Sequence, residues 1–183
     1  SFYSLSPEAA RELLLQGLST ADLYTQVVEL TKTGSAVLER TQSLVTTNSG
    51  EATVRDTAEY KVPGAYSADG SETPPSVKAE DLKSRNVGLT ITIKPTVKSN
   101  LCNLAHFPEW TEFLGYSQQG GEIGRQIQSP IFRARRTNSR LYLEVGKPQF
   151  FSTYSPPMHT GVAEADTPRK VWLAFVGCFP AKS

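Results

Sequence analysis

The sharpest hydrophobic pattern in the chain is an alternation. Val87, Leu89, Ile91 and Ile93 fall on one side, and Thr90, Thr92 and Lys94 on the other. A period of two predicts a strand with one buried or lipid-facing side and one polar side. Pro95 is then expected to break the pairing or mark an edge. Similar runs predict strands at residues 36–47 and 53–61, joined into a hairpin by Asn48, Ser49 and Gly50. A short strand is expected at 101–104. Strands at 131–136 and 141–145 flank Thr137, Asn138 and Ser139 as a second hairpin, and another covers 149–154 after the turn at Gly146, Lys147 and Pro148. A last strand, 170–178, alternates Val171, Leu173 and Phe175. Residues 62–84, 118–124 and 156–168 read as loops, the first long for a folded domain.

Near the start the period changes to that of a helix. Ser6 is a good N-cap, Pro7 suits the first helical position, and Glu8 favours the positive end of the helix dipole. This helix carries Leu13, Leu14 and Leu15 and should stop at Gly17. A second starts at Ser19 or Thr20, with Asp22 placed for a capping-box contact. It runs through Leu23, Val27, Val28 and Leu30 to Gly34. Helices first and many antiparallel strands afterwards predict an α+β, mainly β fold. Residues 1–34 are expected to form a helical segment packed on the sheet, and 35–183 a β-rich unit, together one compact domain.

Composition narrows the picture without redirecting it. A chain of 183 residues can bury a core. Nineteen basic and eighteen acidic residues leave a formal charge of +1, which gives no electrostatic reason to expect nucleic acid. Arg133, Arg135, Arg136 and Arg140 cluster in sequence, but strand alternation would divide them between faces. No apolar run is long enough for a membrane-spanning helix, whereas a membrane β-barrel needs only about 10 alternating residues per strand. Cys102 and Cys178 allow either two buried thiols or one disulfide.

Chemistry-bearing motifs are few. His106 and His159 sit in different loop-like contexts and belong to no metal-ligand spacing, so no metal or cofactor is expected. Glu109 and Glu112 could share one side of a helical turn as paired carboxylates, although such pairs are ordinary on exposed turns. The glycines of 120–124 lack the lysine of a phosphate-binding loop, and Ser155 lies in no nucleophile elbow. No catalytic residue is expected. Trp110, Phe113 and Tyr116, spaced by three, and the pair Phe150 and Phe151 stand as oligomer or partner contacts, with core packing as the alternative.

Five pieces in order carry a family resemblance. They are Thr46-Thr47-Asn48-Ser49-Gly50-Glu51-Ala52-Thr53-Val54, then the alternating strand from Val87 to Val97, then Pro108-Glu109-Trp110-Thr111-Glu112-Phe113-Leu114-Gly115-Tyr116. Pro130-Ile131-Phe132 with Arg136-Thr137-Asn138 follows, and a closing strand from Arg169 to Phe175. Over roughly residues 35 to 178, this order resembles the C-terminal domain of secretins, the ring-forming outer-membrane proteins of type II and III secretion and type IV pilus systems. The stretch 144–154 departs from that pattern: a Gly-Gly strand is missing and Pro148 interrupts it. The stacked ring modules that precede the family's barrel are also not in this chain.

The resemblance implies a divergent, stand-alone and non-enzymatic protein. It would be an accessory or structural component of a pilus or secretion system at the bacterial outer membrane, periplasm or cell surface. No signal peptide is visible at Ser1, and that location implies one removed. The departures favour an accessory protein folded as a β-sandwich, with an immunoglobulin-like form as one version. A ring-forming pore subunit and a surface adhesion or host-interaction module are the alternatives. Expected partners are other pilus or secretion components or further copies of the chain, in a homo-oligomer, with no nucleic acid and at most peripheral or outer-membrane association.

Overall fold

Both helices form where their caps fall. In this computed structural model, which describes residues 1–63, 82–120, 126–155 and 170–181, helix α1 spans Pro7–Leu15 and α2 spans Thr20–Lys32. The Ser6 hydroxyl accepts from the Ala9 N–H at 3.2 Å, and Ser19 does the same for Asp22. The Ser19 hydroxyl in turn donates to the Asp22 carboxylate at 2.6 Å. Gly17 and Gly34 follow the two helices at positive φ, the conformation that ends a helix most cheaply without a Cβ.

Nine strands follow among the described residues: β1 (Phe2–Leu5), β2 (Val37–Arg40), β3 (Ala52–Pro63), β4 (Leu82–Lys98), β5 (Leu101–Gly120), β6 (Gln126–Arg136), β7 (Ser139–Glu144), β8 (Gln149–Tyr154) and β9 (Val171–Val176). Every pairing is antiparallel. The smaller sheet has the order β2-β1-β9-β8. The larger runs β3-β4-β5-β6, with β7 also on β5. The protein is therefore mostly antiparallel sheet with two helices near its start, and the residues stack in three layers.

The small sheet forms the middle layer. Tyr3, Leu5, Leu173 and Phe175 project toward the helices and meet Ala10, Leu13, Leu23 and Val27. Their neighbours Phe2, Trp172 and Ala174 project the other way, onto Leu89 and Ile91 of the large sheet. This explains why β9 reads Val-Trp-Leu-Ala-Phe-Val with no polar side: both of its faces are covered. Further along, Cys102, Leu104 and Leu143 close the interface, with Val176 and Cys178 against them.

Three sequence expectations are corrected. The segment assigned to helices opens on a strand, β1, whose four residues are all buried. The hairpin expected between 36–47 and 53–61 does not form: β2 pairs with β1 in the small sheet and β3 with β4 in the large one. The intervening chain crosses between sheets, held where the Asn48 amide brackets Val97 and the Ser49 N–H donates to the Pro95 carbonyl. Nor does Thr137-Asn138-Ser139 turn a hairpin. β6 and β7 lie end to end along β5, which at 20 residues is long enough to hold both. The expected loop at 156–168 lies outside the described residues, as does most of 62–84. Residues 118–120 of the expected glycine-rich loop continue β5, and 121–125 lie outside.

Pro95 in β4 and Pro108 in β5 sit where a neighbouring strand stops. The N and carbonyl of one residue point to the same side of a strand, and the Pro95 carbonyl takes the Ser49 N–H on the side where β3 has already ended at Ala52–Ile93. The Pro108 carbonyl takes the Thr137 N–H at 3.0 Å, in the gap between β6 and β7. Neither missing N–H removes a ladder bond.

Candidate functional site

The large sheet carries the features that core packing does not consume. Gly88 and Thr111 form the last pairing between β4 and β5. Beyond it, β4 pairs only with β3, and β5 only with β6, so two hairpin arms continue past the body of the sheet. Gly88 makes the parting possible. It holds φ +135, and a Cβ there would run into the carbonyl oxygen of Asp56 on β3. A bulge at Phe113/Gly115, with Gly115 at φ +113, bends the second arm.

An aromatic cluster bridges the arms. Phe113 lies 5.2 Å from Tyr60 of β3, 5.2 Å from Tyr116 and 5.5 Å from Phe132 of β6, measured between ring centroids. Tyr116 is 56% exposed, and Ile131 beside it is also exposed. Of the five aromatic positions singled out in the sequence, the structure brings only Phe113 and Tyr116 together. Trp110 stands edge-on to Trp172 at 5.4 Å, with the Arg40 guanidinium 5.2 Å over its ring and paired to Asp56. Phe151 packs between the sheets, and Phe150 meets Phe175 on the helix side. Trp110 and Phe113, three apart on a strand, fall on opposite faces, whereas the bulge at Phe113/Gly115 returns Tyr116 to the side of Phe113.

The same geometry separates the two carboxylates expected on one turn. Glu109 pairs with Arg136 at 2.9 Å, while Glu112, 3% exposed, lies between Arg135 at 3.8 Å and Arg133 at 4.0 Å. Arg133, Arg135 and Arg136 therefore face carboxylates.

Two outer edges of the large sheet remain. The outer side of β7 is capped by the Gln149 amide, oriented so that its nitrogen donates to the Tyr142 carbonyl and its oxygen accepts from the Glu144 N–H. Among the described residues β3 and β6 have no neighbour on their outer sides, and they stand on opposite edges with lengths of 12 and 11 residues. Unpaired strand edges are templates for another chain.

Between the sheets lies a cleft of roughly 770 Å3, lined by Gln42, Ile91, Ile93, Leu104, His106 and Phe151 among others. His106, expected in a loop, is on β5, 6% exposed and edge-on to Phe151 at 4.8 Å. Burial pushes its imidazole down to about 4. Its Nδ1 and both amide atoms of Gln42 have no hydrogen-bond partner in the protein. His159 lies outside the described residues. No group of metal-ligating side chains gathers among the described residues, and no described helix is long and apolar enough to cross a membrane.

Cys102 and Cys178 are free thiols that meet at the end of the inter-sheet core. Sequence order could not bring them together; the Gly146 N–H does, by donating to the Cys178 carbonyl at 2.8 Å beside the β5–β7 pairing.

These features define a class of protein, an antiparallel three-layer arrangement whose larger sheet is open, among the described residues, at two opposite edges. Comparison with known proteins adds nothing narrower: no family model, no curated protein and no solved structure matches the chain.

Proposed function

We propose that this chain is a secretin-like structural subunit that assembles with copies of itself, at the bacterial outer membrane or in the periplasm, within a pilus or secretion system. One observation carries the reading. The large sheet is a meander of long strands whose opposite edges, β3 and β6, are of nearly equal length and bare among the described residues. Pairing β3 of one copy with β6 of the next is a head-to-tail contact, which generates a ring when the rotation closes and removes the exposed edges as it does so. The polar face of β4, with Thr90, Thr92, Lys94 and Thr96, suits a water-filled lumen. Passage through such a lumen is mechanical and asks no residue to perform chemistry.

The sequence resemblance over residues 35 to 178 supports the same reading. Phe113, Tyr116 and Ile131, exposed or half-exposed beside the β6 edge, are the side chains offered to the neighbouring copy. An immunoglobulin-like arrangement is disfavoured, since that topology needs Greek-key connections and the large sheet is a meander.

A second reading, an accessory protein that works without a ring, draws on the small sheet. It already covers the apolar face of the large sheet, so the chain has a core of its own. Absolute mass by light scattering, with and without detergent and liposomes, separates the two. A large multimer that partitions into membrane and falls to the protomer mass in a Tyr116→Lys, Ile131→Lys variant is expected. A soluble monomer indifferent to lipid would sink the ring and leave the accessory role.

A further inference from the structure

The three strongest features outside the proposed assembly edges are the inter-sheet cleft, the buried Glu112 and the pair of cysteines. The cleft offers unpartnered polar atoms but no sign of what would fill it, and Glu112 already faces two arginines. The cysteines carry an argument through to chemistry.

Cys102 is on β5 of the large sheet, and Cys178 follows β9 of the small one. They are far apart in sequence, yet Cys178 packs against the buried cluster that holds Cys102, so the two thiols share one apolar environment. Backbone bonds on both sides hold the approach. Cys102 pairs with Leu143 in the β5–β7 ladder, the Val145 N–H donates to the Asn100 carbonyl at 3.0 Å, and the Gly146 N–H donates to the Cys178 carbonyl. The surroundings are apolar, from Leu104, Leu143, Val97 and Val176. A disulfide needs its Cα atoms within about 7 Å and its Cβ vectors converging, and the packing of Cys178 onto the Cys102 cluster brings the two thiols together from opposite sheets.

We propose that Cys102 and Cys178 are a modification site, oxidised by a thiol–disulfide exchange partner to a single intramolecular disulfide that staples the large sheet to the end of the small one. The co-reactant is a disulfide of the glutathione class. The sulfur of Cys178, the more exposed of the pair, attacks it as thiolate, forming a mixed disulfide and releasing one glutathione thiolate. The Cys102 sulfur, having given up its proton, then attacks Cys178 and releases the second glutathione. Two S–H bonds are lost, one S–S bond forms, and the two electrons reside in the two reduced glutathione molecules.

Geometry also sets the order and rate of these steps. Cys102 is completely buried, and burial, with the neighbouring Cys178 thiol, pushes its thiol up to about 12. The second step is therefore slow at neutral pH. It should accelerate by roughly tenfold per pH unit while the thiolate remains the minor form. Closure of so long a loop should raise Tm by on the order of 10 °C.

This inference does not rest on the proposed assembly, and its test reads sulfur chemistry alone. Reduced protein is exposed to a series of oxidised-to-reduced glutathione ratios at pH 8, quenched in acid, alkylated and weighed intact, with peptide mapping. The expected product is a monomer lighter by about 2 Da, unreactive to alkylation, with Cys102 joined to Cys178, and absent from Cys178→Ser and from Cys102→Ala. Retention of two alkylatable thiols at every ratio would overturn the proposal. So would a glutathione adduct that stays on Cys178, or a cross-linked dimer through it. Circular dichroism of the reduced variants checks that their lack of product comes from the missing sulfur and not from unfolding.

Discussion

β9 is 6 residues long and its middle four are buried, whereas β5 is 20 residues long and its outer face carries exposed Leu101 and Phe107 and a partly exposed Glu109. Both are interior strands of antiparallel sheets. The difference lies in what covers them. Helices lie on one side of β9 and the large sheet on the other, so every side chain there is fixed by packing. β5 has apolar cover on one side only and runs beyond the body into an arm. Stability is therefore concentrated in the small sheet, and the capacity to meet other molecules in the large one. The comparison predicts that substitutions of similar chemistry will separate cleanly by region.

The largest effect is expected at Leu173, which is 0% exposed at the meeting point of helices and strands. Leu173→Ala should cost about 4 kcal/mol in denaturant unfolding. Tyr116→Ala, at an exposed aromatic on the arm, should cost under about 1 kcal/mol while changing the mass in solution. Equal losses at the two sites would break the division.

Next comes pH. Burial lowers the His106 imidazole to about 4, whereas in the unfolded chain it protonates near 6.5. The folded protein thus binds fewer protons in that interval. The stability from this group is complete above pH 6.5 and is lost as pH falls toward 4. The loss is about 3 kcal/mol, read by urea unfolding at pH 7, 5.5 and 4. In His106→Phe this part of the slope should vanish, and a slope of unchanged size would contradict the assignment.

A smaller effect is expected at Gly88, where the arms leave the body. Gly88→Ala would place a methyl against the Asp56 carbonyl at a φ that side chains rarely adopt. It should cost about 2 kcal/mol, with faster amide exchange in β3 and β4 than in β1 and β9. Uniform exchange across both sheets would show that the arms are not independent of the body.

The smallest expected change sharpens the comparison from the other side. Arg40 links the sheets by sitting over Trp110 and pairing with Asp56, but both charged groups are partly exposed. Arg40→Met should cost about 1 kcal/mol, with the salt dependence of stability reduced accordingly.

Much of the local structure was legible from residue type. Ser6, Pro7, Gly17, Ser19 and Gly34 bound the helices because caps and helix ends depend on groups a few residues away. The alternation from Val87 to Ile93 located a strand and its buried side for a similar reason: one face meets water and the other does not. β1 was not legible. Its Phe-Tyr-Ser-Leu has no period to read, because both of its faces are covered by elements that arrive later in the chain. The two expected hairpins failed on partner choice. Asn48-Ser49-Gly50 and Thr137-Asn138-Ser139 have turn chemistry, but a turn does not dictate which strand lies beside the next one.

Residue order by itself thus determined the helix limits, the predominance of strands, and the polar and apolar sides of β4, all of which follow from interactions over a few residues. Only the tertiary structure decided that β3 and β6 face outward on opposite edges, that His106 is buried beside Phe151, and that Cys178 packs onto the cluster around Cys102. Those facts depend on the register of strands distant in sequence and on which face each layer covers, and these are set only when the layers pack.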